Sequence, residues 1–116
     1  MMSGSDALVQ EYCASIREHS EAIERSDSTA ANAAFDRIIA ALGSLRALPD
    51  RGLSCLLACL TSENPNIRLA AATHLLPLDK RAAKRELRSL AKLKGMAAFN
   101  AGMVLEQWNS GNLEIP

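Results

Sequence analysis

The chain has 116 residues, 48% hydrophobic and 22% charged, and its 13 Lys and Arg balance 13 Asp and Glu. A chain of this length buries roughly two-thirds of the surface its unfolded form exposes, so a core needs neither disulfides nor metal, and the composition excludes a disordered chain. Apolar runs fall far short of the ~18 residues that span a bilayer, and the opening residues lack a basic stretch followed by an apolar one, so the expected setting is the cytoplasm, with no membrane partner.

Strand signals are missing, since aromatics make up only 3% of residues and no β-branched alternation occurs, so the expected class is all-α in a single domain over residues 1–116. Helix one is expected from a Ser5 cap to about Arg25, with Leu8, Val9, Tyr12, Ile16 and Ile23 on its apolar face. Ser26-Asp27-Ser28 makes a turn into helix two, about Thr29 to Leu48, where Ala31, Phe35, Ile38, Leu42 and Leu45 recur at helical spacing. These two form a long N-terminal hairpin over 5–48, and Pro49-Asp50-Arg51-Gly52 is expected to break the second helix. Leu53, Leu56, Leu57 and Leu60 define helix three, and Pro65 opens helix four, which stops before Pro77 and is apolar nearly all round. Asp79 caps helix five, about Lys80 to Lys94, which Gly95 ends; helix six follows from about Met96 to Asn109, and residues 110–116 are a tail.

Helices three and four (53–76) and helices five and six (79–109) read as two successive short hairpins, the pattern of a stacked helical solenoid. The stretch from Leu56 to Leu76, with Asn64, Pro65, Ile67, Arg68, Ala70, Ala71 and Leu75 in place, is similar to a HEAT repeat. Small Ala residues let neighbouring helices approach, while Ile67 and Leu75 fill the space between them. The whole chain, including its ending from Ala101 to Pro116, resembles a family of small bacterial HEAT-like domains of unknown function. The resemblance implies a short α-α superhelix of six helices in three antiparallel hairpins, which binds something on its concave or end surface. It carries no catalytic residues over, and helix five is more basic than the family leads one to expect.

Charge is unevenly spread: residues 5–27 carry six acids and two bases, residues 79–94 seven bases and two acids. On helix five Arg81, Lys84, Arg85, Arg88 and Lys92 follow spacings of three and four and share a face. Neighbouring like charges repel by a few tenths of a kcal/mol per pair, and Glu86 points elsewhere. The row reads as a solvated face, as a dock for an acidic protein surface (a second copy's acidic helix one included), or as a nucleic-acid backbone contact. Zero net charge and the scarcity of stacking aromatics weigh against nucleic acid.

Helix six presents Ala97, Ala101, Val104, Leu105 and Trp108 to a core, with Met96, Phe99 and Met103 on another side. Either Leu113 and Ile115 of the tail or helix five covers those three, or they form a partner or homodimer patch. No metal, cofactor or catalytic motif is present. Cys13, Cys55 and Cys59 are too few for a disulfide framework, Cys55 and Cys59 lack further zinc ligands nearby, and His19 and His74 stand outside any motif. The expected role is a non-enzymatic protein-interaction module. By fold-level analogy, an immunity protein that neutralises a bacterial toxin is a named alternative, and nucleic-acid backbone binding is another.

Overall fold

Alanine- and leucine-rich runs separated by short polar or Pro/Gly breaks fold into six helices in a computed structural model that describes residues 4–116. They are α1 (Gly4–Glu24), α2 (Ser28–Arg46), α3 (Pro49–Cys59), α4 (Pro65–Leu75), α5 (Lys80–Ala91) and α6 (Met96–Asn109). No strand occurs among the described residues, so the fold is all-α. The chain divides within α3 into two compact units, Met1–Cys55 and Leu56–Pro116.

In the first unit α1 packs along α2. Tyr12, Ser15, Ile16 and Ala22 meet Ala31, Ala34, Ile38, Leu42 and Leu45 in its core. The turn between the helices is tightly specified. Ser26 adopts a left-handed φ of 57°, its N–H donates to the Ile23 carbonyl at 3.1 Å, and the Asp27 N–H donates to the Ala22 carbonyl at 2.8 Å. That is a Schellman end with serine where glycine is usual. Asp27 then caps α2, its Oδ1 accepting from the Ala30 N–H at 3.0 Å.

Four expectations for this unit are corrected. Helix α1 has already begun at Gly4, so Ser5 is no cap: it is buried inside the helix, where its Oγ accepts from the Arg51 guanidinium at 3.3 Å. Ile23, in the last turn of α1, is 57% exposed rather than part of the apolar face. Phe35 is also exposed; it sits at the rim of the buried arc of α2, tilted against His19 with ring centroids 6.3 Å apart. Pro49-Asp50-Arg51-Gly52 ends α2 and also opens α3, since a proline in a first helical turn forfeits no hydrogen bond. Gly52 is required there. Its N–H donates to the Leu48 carbonyl at 2.6 Å, and an added Cβ would land on the Leu45 carbonyl, 2.8 Å from its carbon.

In the second unit α4, α5 and α6 pack on one another in all three pairings, and the four-residue links make α4–α5 and α5–α6 antiparallel neighbours. Asn64 caps α4 through Oδ1, which accepts from the Asn66 N–H at 2.9 Å, and Pro65 occupies the first turn. Ile67, Ala71, Ala72, His74 and Leu75 of α4 are buried, as an all-round apolar helix requires. Asp79 caps α5, accepting from the Ala82 N–H at 3.2 Å, and Ala83, Leu87 and Leu90 face the core. Helix α5 is shorter than its sequence suggests: it ends at Ala91, and Gly95, with φ 101°, serves as the N-cap of α6 rather than the end of α5. The core face of α6 centres on Ala98 and Ala101, with Ala97, Val104, Leu105 and Trp108 only half-buried around them.

Candidate functional site

All eight residues singled out by the sequence, Arg81, Lys84, Arg85, Arg88, Lys92, Met96, Phe99 and Met103, lie on the α5–α6 hairpin. Its seam is marked by the Lys84 Nζ, which donates to the Asn109 Oδ1 at 3.2 Å and so ties the start of α5 to the end of α6. The core positions Ala83, Leu87, Ala98 and Ala101 lie on one side of that seam. On α5, Arg81 and Arg88 stand three residues before and four after Lys84, one row farther from the core, and Arg85 and Lys92 follow round the helix. On α6, Phe99, Met96 and Met103 occupy the surface opposite Ala98 and Ala101. The cationic row and the apolar row therefore flank the same outward side of the hairpin.

The cations are unbalanced. Arg81, Arg85, Arg88 and Lys92 are exposed, Lys84 is half-buried, and no ion pair among the described residues reaches any of the five. Glu86, the one carboxylate within α5, faces the other way: its Oε1 lies 3.7 Å from the Arg68 Nε of α4. Both atoms are buried without a hydrogen-bond partner, so that acid is committed to the α4–α5 contact and cannot screen the row.

The apolar side chains are uncovered. Met96 is 70% exposed, Phe99 63% and Met103 41%. Neither of the two coverings that the sequence leaves open closes the patch: Leu113 and Ile115 of the tail are half-buried and α5 packs on α6, yet the three side chains stay exposed. Leu93, in the α5–α6 link three residues before Met96, is 50% exposed as well. The sequence reading missed it because a continuous α5 to Lys94 placed it inside a helix; its setting in Lys92-Leu93-Lys94-Gly95 is the signal that marks a link. Gly102 is half-buried at the seam, with nothing within 4 Å of where its Cβ would be, so the surface between the rows stays shallow.

Among the described residues no group of three His, Cys, Asp or Glu is placed to hold a metal, and no helix is long and apolar enough to cross a membrane. Cys59 and His74 are buried, and Cys13 and Cys55 half-buried. The arrangement offers charge and apolar contact.

No family model matches the chain, and no curated protein matches it in sequence. Its structure is similar to the crystal structure of the protein RPA1889 from Rhodopseudomonas palustris CGA009, with a TM-score of 0.87 and 22% sequence identity over 100% of this chain and 96% of that one. At that identity the likeness shows a shared fold.

Proposed function

We propose that the protein is a non-enzymatic, HEAT-like interaction module that binds an acidic protein partner on the outward side of α5–α6. The observation that carries this reading is the pairing of a cationic row having no internal counter-charge with a neighbouring stripe of exposed Leu93, Met96, Phe99 and Met103. An exposed apolar cluster rimmed by charge is the usual composition of a binding surface, and burying a side chain such as Phe99 contributes roughly 1.5–3 kcal/mol. The cations would steer an acidic surface and hold its register. The HEAT-like part of the reading is supported by α4, where Asn64 caps, Pro65 starts the helix, Ile67, Ala71 and Leu75 are buried, and Arg68 reaches α5.

The test is capture from native-host lysate, with and without nuclease. The baits are wild type, the combined Arg81→Glu, Lys84→Glu, Arg85→Glu and Arg88→Glu variant, and Phe99→Glu. A stoichiometric protein that survives nuclease and is lost with both variants is the expected result. Recovery of nucleic acid alone would mean that the row contacts phosphates, and this reading would be discarded.

A further inference from the structure

We infer that the surface between the two rows docks an acidic amphipathic α-helix of a partner protein, about three turns long; this rests on the interaction reading above and specifies its partner. Met96, Phe99 and Met103 recur at i, i+3 and i+7, the spacing with which one helix presents its seam to another. In a globular fold such a seam is normally covered, and here it is in solvent. A helix laid along it would set its own aliphatic side chains, at the same spacing, between the two methionines and the Phe99 ring. The open space at Gly102 leaves room for one of them to approach the backbone.

Charge complementarity fixes the flank. Because α5 and α6 are antiparallel, Arg88 and Lys92 stand beside the half of α6 that carries Met96 and Phe99, and neither cation has a carboxylate partner. A docked helix would therefore need Asp or Glu along the edge facing α5. The row from Arg81 to Lys92 spans eleven residue steps, about 16 Å at 1.5 Å per residue, which is three helical turns. On α6 the apolar run from Met96 to Met103 covers seven residue steps, about 10 Å or two of those turns, before Glu106 and Gln107 end it. A nucleic-acid backbone would neutralise the cations while leaving Leu93, Met96 and Phe99 in water, so it fits half of the surface.

The experiment is fluorescence anisotropy with a labelled peptide three to four turns long, carrying Leu at i, i+3 and i+7 and Glu on its flanks. The comparison probes are the same peptide with Gln for Glu and a short labelled DNA duplex. The proteins are wild type, Phe99→Glu, the combined Arg85→Glu, Arg88→Glu and Lys92→Glu variant, and Arg17→Glu on α1 as a charge control. The acidic peptide should bind wild type and Arg17→Glu saturably. Its affinity should fall about tenfold or more in the other two variants, with circular dichroism unchanged, and should also weaken between about 50 and 300 mM salt. The Gln peptide should bind about fivefold or more weakly.

Equal binding of the Glu and Gln peptides overturns the acidic specification and leaves the interaction reading standing. Binding of neither peptide overturns the docked helix, and the capture experiment then decides the wider reading. Duplex binding that disappears with the triple variant, while neither peptide binds, overturns both. A mass that rises with concentration and stops rising in Phe99→Glu makes a second copy the occupant and also overturns the proposal.

Discussion

The two units handle charge in opposite ways. The first carries eight acids and five bases, the second five acids and eight bases. In the first, two of the acids are answered across the hairpin: Arg37 of α2 pairs with both Glu11, at 2.9 Å, and Glu18 of α1. That guanidinium lowers the Glu11 carboxyl below its ordinary value, chiefly because the Arg37 Nε–H donates a hydrogen bond to Glu11 Oε1. In the second unit, the single acid within α5 is turned toward Arg68, and the cations are left without a counter-charge. A charge answered across a helix pair holds the pair together. A row of charges answered by nothing in its own unit costs stability and is better placed to meet another molecule.

The contrast can be broken most severely in the cores. Leu87→Ala empties a fully buried site beneath the cationic row and should cost about 2–5 kcal/mol in denaturant unfolding. Gly52→Ala should cost about 1–3 kcal/mol in the first unit, because its Cβ meets backbone rather than a movable side chain. Ser26→Gly, at the left-handed turn of α1, should raise stability by about 1 kcal/mol and with it the melting temperature. Arg85→Glu sharpens the contrast directly. Removing one member of a like-charge row should stabilise the fold by a few tenths of a kcal/mol, while the same change weakens binding of an acidic peptide. The smallest effect is titration of Glu11. Its folded pKa is depressed, so its contribution is present above the ordinary glutamate value of about 4.5 and is lost as pH falls through the lower folded value. The melting temperature of wild type should therefore drop more steeply below about pH 4.5 than that of Glu11→Gln.

Helix existence and the caps of α4 and α5 were legible in the sequence because they depend on local chemistry. Asn64-Pro65 and Asp79 satisfy the first N–H groups of their own helices, and no distant contact is needed. The eight candidate residues share one hairpin for a similar reason, since spacings of three and four fix a face whatever surrounds it. What escaped was set by neighbours. The periodicity that places Phe35 and Ile23 on apolar faces says nothing of how much of each face a neighbour covers: Phe35 meets His19 and stays 44% exposed, and Ile23 stays 57% exposed. Pro49 signals only a break in sequence, because a helix end and the start of the next helix share the same residue signals. Ala98 replaced Ala97 at the centre of the α6 core face, a rotation that packing against α4 and α5 decides.

The segregation of charge also has a consequence for handling the molecule. A protein whose acids and bases cancel would ordinarily pass through both cation and anion exchangers near its isoelectric point of about 6.7. Charged resins act within roughly a Debye length, about 10 Å at moderate salt, so each senses the charges of the surface that meets it rather than the sum. The cationic α5 row should hold the chain on a negatively charged resin, and the acid excess of the first unit on a positively charged one, at the same pH.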